Sequence, residues 1–395
     1  MKQEQEANPS AESEVFWQNV RRQYPEQRPL LNLNNAAVSP TPLPVEDAVV
    51  RAFRFVGSLP DVNMWEQLDA NLPDVKRQLA SLIDCAPEEI ALNRNASEGL
   101  ANAIFGIALK RNDEVLIADW DYPSVRAAWA QRKAREGIEV TTVKFDLMDD
   151  DEEIIAAYRQ AISPKTRAIQ LTHMIHWTGR VLPVQRLCAI AASAGIITIV
   201  DGAQSFAQMP VSFREIGCDF FATSLHKWLG APVGNGMLIV KQERIDETWP
   251  LLAPFDDKPE GIAKFDQWNL GTYNCAIQAG ILPALRFHQS IGTARIQARL
   301  QTLTKYWISA AASIKGFRLH TPIDAPELSG VSLFSIANHD AKGIEARLRS
   351  EYQIHVKYRR IAHIEGLRVS PHIYMLEAEL DRFVGALAAV TTRPA

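Results

Sequence analysis

Residues 196–205 read IITIVDGAQS, and residues 219–238 read DFFATSLHKWLGAPVGNGML. Each opens with an apolar run of strand length that stops abruptly at chemistry-bearing side chains. The first ends at Asp201 and turns through Gly202. The second ends at Ser224, His226 and Lys227, twenty-six positions beyond Asp201, and runs into a loop with Gly230, Gly234 and Gly236. Between about residues 85 and 285 further runs, VLIA (115–118), VTTVKF (140–145), AIQLTHM (168–174) and MLIV (237–240), alternate with helical patterns. In PVQRLCAIAASAG, Pro183 suits a first turn, apolar residues recur at helical spacing, and Gly195 closes the end. The alternation predicts an α/β fold, a mainly parallel sheet with helices on both faces.

After about residue 290 the order changes to a long helix, two strands (the second VSLFSI), the helix AKGIEARLRSE, the strand IHVKY and a final helix from about 376. This predicts a smaller α+β domain. The expected division is a large domain over 46–288 and a small one made of 1–45 and 289–395, the N-terminal segment packing across the boundary. A chain of 395 residues, 47% hydrophobic, can bury cores of this size.

Lys and Arg total 42 against 46 Asp and Glu, which gives no reason to expect a nucleic-acid or membrane partner. The N-terminus is polar and acidic and no apolar stretch reaches membrane length, so a cytoplasmic location is expected. The four cysteines, Cys85, Cys188, Cys218 and Cys275, form no C-x-x-C pair and read as buried small hydrophobes rather than zinc ligands or disulfides. The acidic run from Asp146 to Glu153 reads as a solvated helix start, not a metal site.

A strand-end Asp alone is usually a turn or cap residue, and a lone Lys after a strand a solvated one. Together they match a specific chemistry. Pyridoxal 5'-phosphate (PLP) needs a lysine amine for its aldehyde, a carboxylate that keeps its ring nitrogen protonated, and donors for its phosphate. Lys227, Asp201 and the pair Ser224 and His226 supply these. The amine reacts only when neutral, so burial is expected to lower its pKa from the usual value of about 10.4.

VDGAQS followed by SLHKW resembles the class V aminotransferase family of fold-type I PLP enzymes, which also holds cysteine desulfurases, kynureninase and isopenicillin N epimerase. The resemblance covers nearly the whole chain. It implies that Lys227 holds PLP as a Schiff base and that NNAAVSPTP (34–42) lines the substrate site through Asn35 and Ala36. It also implies that Arg94-Asn95-Ala96-Ser97-Glu98-Gly99 forms the phosphate turn, with Ser97 and Glu98 at the cofactor. Tyr122 takes the place of the aromatic that stacks on the pyridine ring, and Gln204 that of the glutamine on the phenolic oxygen. Thr272, in Gly271-Thr272-Tyr273-Asn274, is similar to a residue reaching the neighbouring subunit's phosphate, which implies a homodimer. Arg368, in LRVSPH (367–372), matches the arginine that clamps the substrate α-carboxylate.

Two departures narrow the reading. Cysteine desulfurases carry a nucleophilic cysteine shortly before that arginine, and the stretch from Tyr358 to Gly366 has none. His176 stands where many members have asparagine; as a catalytic candidate it acts as an acid or base near neutrality or hydrogen-bonds cofactor and substrate, and a packing role is open too. Trp177, Trp268 and Tyr358 are candidates for the pocket wall or for core.

The resemblance, closest to the isopenicillin N epimerase-like branch, implies an enzyme working at the α-carbon of an amino acid by epimerase-like or aminotransferase chemistry. The alternatives are β-lyase or kynureninase-like cleavage and, in another class, a non-catalytic PLP-binding protein.

Overall fold

A computed structural model describes residues 14–26, 30–254, 261–267, 271–325, 327–361 and 364–392. Its strands, in chain order, are β1 (Leu31–Asn32), β2 (Ile90–Asn93), β3 (Glu114–Ala118), β4 (Glu139–Val143), β5 (Thr166–Thr172), β6 (Ile197–Asp201), β7 (Phe220–Ser224), β8 (Gly236–Val240), β9 (Phe317–Leu319), β10 (Ser332–Ile336), β11 (Ile354–His355), β12 (Lys357–Ile361) and β13 (Ile364–Val369).

Seven of them form the central sheet in the order β2-β8-β7-β6-β5-β3-β4. The run from β4 to β7 is parallel, whereas β8 lies antiparallel to both its neighbours, β7 and β2. All six apolar runs read from the sequence are strands of this sheet; β2 is an addition.

Strand alternation sorts each run between two cores. Leu116, Ala118, Ile169, Leu171 and Phe221 enter one apolar cluster, while Val115, Ile117, Ala168, Phe220 and Ala222 enter a second. Both faces are therefore buried, as a sheet covered by helices requires. On the side of the second cluster lie helices Ala96–Gly106 and Pro123–Glu136, and on the other Asp151–Ala161 and Val184–Ser193.

Local chemistry fixes the ends of these elements. Asp150 and Glu153 form a reciprocal capping box at the start of Asp151–Ala161, so the acidic run is a helix start as read. Among the described residues no group of three or more His, Cys, Asp or Glu is placed to hold a metal ion. Gly195 takes φ +67 just past its helix, the left-handed conformation that glycine adopts without cost. Gly202 is fixed by space instead, because a Cβ there would sit 1.8 Å from Cζ of Phe221.

The C-terminal part carries a four-stranded antiparallel sheet, β12-β13-β10-β9, with helices Thr293–Ala311, Ala341–Tyr352 and Glu377–Thr392. The N-terminal segment joins it: β1 pairs in parallel with β11, and Asn34 bridges Ser370. No helix among the described residues is long and apolar enough to cross a membrane.

Candidate active site

Strand order reverses between β3 and β5, since β4 lies outside β3 while β5 and its successors lie on the other side. Ligands of open α/β sheets bind beyond the C-terminal strand ends at such a switch point. A cavity of about 520 Å³ opens there. Tyr122 follows β3, Thr172, Met174, His176 and Trp177 end or follow β5, Asp201, Ala203 and Gln204 end or follow β6, and Ser224, His226 and Lys227 end or follow β7; all line it. Ala36 and Ala37 from the N-terminal segment, the turn from Arg94 to Ser97, and Arg359 and Arg368 from the smaller sheet complete the wall.

Asp201 is buried, and its carboxylate accepts a hydrogen bond of 2.9 Å from the Ala203 N–H. Burial raises its pKa, and the Lys227 ammonium partly offsets this. Lys227 is pulled the other way: burial lowers the amine to about 8, with Asp201 opposing and Arg368 assisting. The sequence expectation of a depressed lysine thus has its cause in the fold.

Helix Ala96–Gly106 points its N-terminus at the cavity, capped by the Asn95 side chain, which accepts from the Glu98 N–H. Ser224 Oγ accepts from the Ala96 N–H at 2.9 Å, which leaves its own proton to donate. His226 Nδ1 lies 3.1 Å from the Asn235 carbonyl, so this nitrogen carries the proton. Hydroxyls and amides at a helix N-terminus suit a phosphate dianion. A low-pKa amine, a buried carboxylate and this phosphate cradle in one cavity fit PLP.

Arg368 is 2% exposed; Nη1 donates to the His176 carbonyl at 2.9 Å and Nη2 to Asn34 Oδ1 at 2.7 Å. Burial, then the neighbouring Arg359, lowers its pKa to about 9, still charged at neutral pH. His176 has neither ring nitrogen hydrogen-bonded, with Tyr122 edge-on at 4.9 Å and Trp177 tilted at 4.3 Å. Burial, with Arg368, Lys227 and Arg359, holds its pKa well below the usual value. The expectation of a histidine titrating near neutrality is therefore corrected: this ring is neutral, one donor and one acceptor.

Other expected residues lie as follows. Tyr122 is 41% exposed on the wall, an aromatic face with room for a ring. Gln204 is partly committed, donating to the Ala36 carbonyl and accepting from Trp228 Nε1, each at 2.9 Å, and keeps one N–H. Ser97 lines the cavity, but the Glu98 carboxylate is taken up by Arg94 and is not on the wall. Asn35 is likewise turned away: its amide donates to the Asn32 and Ser370 carbonyls and accepts from Tyr374, so its work is to hold the segment. Thr272 lies outside this cavity, in a recess that shares Arg94 and Gly234 with it. Trp177 is on the wall, Tyr358 is not and lies under Lys342, and Trp268 falls outside the described residues. The sequence reading missed Asn34, Thr172 and Arg359. Asn34 was one position from a residue named, and strand alternation in YRR was the available signal for Arg359.

Comparisons with known proteins place the chain in a family and a fold. The family model for class V aminotransferases matches residues 31–383. Isopenicillin N epimerase of Streptomyces clavuligerus is 30% identical over 392 residues, covering 95% of this chain and 98% of that protein. A probable cysteine desulfurase of Methanothermobacter thermautotrophicus is 28% identical over 82% of each chain. In structure, a lysine-to-alanine variant of C-DES with glycine covalently linked to its PLP cofactor superposes with a TM-score of 0.85 at 22% identity, over 93% of this chain and 98% of that one. The fold is thus that of fold-type I PLP enzymes, and the chain belongs to the class V aminotransferase family.

Proposed function

We propose that this protein is a PLP-dependent enzyme that moves the α-proton of an amino acid, with epimerase-like or aminotransferase outcome. The observation that carries the reading is the convergence of Asp201 at the end of β6, Lys227 in the turn after β7 and Arg368 in β13 on one cavity. The cofactor supplies an aldehyde for the substrate amine and a ring that accepts electrons when the α-proton leaves. Arg368 receives the α-carboxylate, and the His176 carbonyl and Asn34 hold the guanidinium in place. Lys227 Nζ takes and returns the α-proton. Asp201 keeps a proton on the ring nitrogen. Neutral His176 orients the substrate by hydrogen bonding.

Sulfur abstraction by a cysteine fits poorly. All four cysteines are buried and none lines the cavity. We retain the epimerase-like outcome ahead of β-lyase or kynureninase-like cleavage, on the likeness to isopenicillin N epimerase over nearly the full length. We also propose a cytoplasmic homodimer. In its support, Phe53 and Trp65 are 66% and 57% exposed, and Tyr273 beside Thr272 donates a hydrogen bond to Asp69, near Trp65 in the chain.

The deciding experiment adds L- and D-amino acids to the PLP-loaded protein in deuterium oxide and follows α-deuterium exchange and products by NMR. Exchange with inversion and no keto acid is the epimerase result; keto acid with the cofactor in its amine form is the aminotransferase result. Lys227→Ala should remove the absorbance band of lysine-bound cofactor, and its persistence would refute the assignment. Sedimentation should give about twice the 44.1 kDa chain mass for the wild type and a monomer for Phe53→Glu with Trp65→Glu.

A further inference from the structure

Three arginines line the cavity; Arg94 is exposed and already paired with Glu98, which leaves Arg359 and Arg368 facing it from the smaller sheet. In the pairing of β12 with β13, Lys357 lies opposite Arg368 and Arg359 opposite Gly366. Residues opposite one another share a sheet face, so Arg359 and Arg368 are diagonal neighbours on the same face, within reach of each other's long side chains. Both line the cavity. Arg368 already has two protein acceptors. Arg359 has little: Nη1 reaches only the Tyr358 carbonyl at 3.3 Å, Nε is buried with no partner, and the guanidinium lies 5.3 Å from the Trp177 ring centre.

Among the described residues no carboxylate forms an ion pair with Arg359, and Glu345, a carboxylate that acts on its charge, is engaged by Lys357 at 3.4 Å. Charge balance across the cavity then leaves a surplus. The cofactor phosphate answers the helix N-terminus, Asp201 the ring nitrogen, and a substrate α-carboxylate Arg368. Arg359 stays charged, half-buried and beside a like charge, which is unfavourable unless an anion arrives. Its planar fork suits a second carboxylate, and Trp177 gives the guanidinium an aromatic neighbour.

We propose that Arg359 is the receptor for a second carboxylate, so that the substrate is an amino acid with an acidic group on its side chain. This rests on the reading of the cavity as an amino-acid site, and it adds the substrate class. The residue is a specificity determinant and takes no part in proton transfer.

Unreactive ligands test it without requiring turnover. Succinate, glutarate and adipate are titrated calorimetrically into the PLP-loaded protein against butyrate, valerate and caproate, and L-glutamate is compared with L-glutamine in the absorbance assay. The best dicarboxylate should bind about ten-fold or more tighter than its monocarboxylate counterpart. In Arg359→Gln the two should differ by no more than about two-fold, one lost charged hydrogen-bonded pair accounting for the change. Equal affinities in the wild type, or a preference that survives Arg359→Gln, overturn the proposal. Should that variant misfold, Arg359→Lys decides: a preference weakened several-fold supports the planar fork, and an undiminished one overturns it. Dicarboxylate preference without reaction of any amino acid would sink the proposed function and leave the receptor standing. Reaction of amino acids with no acidic preference would do the reverse.

Discussion

Asn34 Oδ1 accepts a hydrogen bond of 2.7 Å from Arg368 Nη2, tying the N-terminal segment to the residue proposed to clamp the substrate carboxylate. Hydrogen bonds to charged groups contribute about 1.5–3 kcal/mol. Asn34→Ala should therefore weaken amino-acid binding by about ten-fold or more, with cofactor affinity unchanged. Asn34→Asp should weaken it further, since its carboxylate would compete with the substrate for Arg368. Titration of the cofactor absorbance with substrate measures both, and an Asn34→Asp variant that binds as tightly as wild type would contradict the role of Arg368.

Cofactor capture should follow the titration of Lys227. Only the neutral amine attacks an aldehyde, and its fraction grows as pH rises through about 8. The attachment rate of the cofactor-free protein should climb through that range and level off above it. Asp201 raises the lysine pKa, so Asp201→Asn should move the midpoint to lower pH. Stopped-flow absorbance gives the profile; a midpoint near the ordinary lysine value of about 10.4 would show that burial does not act as described.

Thiol reagents should leave the enzyme active. Burial pushes Cys85 and Cys188 to about 12 and also raises Cys218 and Cys275, so little thiolate exists at neutral pH. Iodoacetamide treatment of the folded protein should modify none of the four rapidly, and Cys275→Ala should retain turnover. Rapid inactivation traced by mass spectrometry to one cysteine would reopen sulfur chemistry.

Asp121 should make stability fall with pH. Its buried carboxyl is pushed up to about 7 against hydrogen bonds from Thr172 and the Ala118 N–H, with Asp201 adding to the rise. The folded state then keeps a proton that the unfolded chain, with a pKa of about 3.9, has lost. The associated stability is fully present below that value and is lost as pH rises toward about 7. Asn at this position can accept from Ala118 and donate to Thr172 without titrating. Thermal unfolding of the cofactor-free Asp121→Asn protein should show a flatter profile across this window than wild type.

The central sheet was legible because its strands, buried on both faces, are near-continuous apolar runs broken by chemistry at their C-terminal ends. Asp201, Ser224 and Lys227 were therefore placed from local sequence alone. β2 starts directly after a short helix and has three apolar residues before Asn93, too few to stand out. Side chains whose direction depends on distant partners were harder. Which of two adjacent asparagines meets Arg368 is set by Ser370 and Tyr374, more than 300 residues away. Glu98 resembled a cofactor residue in its turn, but Arg94 is close enough to claim it. Arg359 joined the site only once the register of β12 against β13 was fixed.

The bridge between Asn34 and Ser370 has a consequence for how the enzyme comes into being. A chain emerging from the ribosome presents β2 to β8, with Asp201 and Lys227, well before β13 is made. The cofactor half of the cavity can close while synthesis continues, and Gln204 and His226 can already hold the segment at Ala36 and Ser39, but Asn34 must wait for Arg368 and Ser370 to arrive. A C-terminally shortened chain would thus lack the grip on an amino acid while keeping Asp201 and Lys227, so the order of synthesis would put substrate binding last.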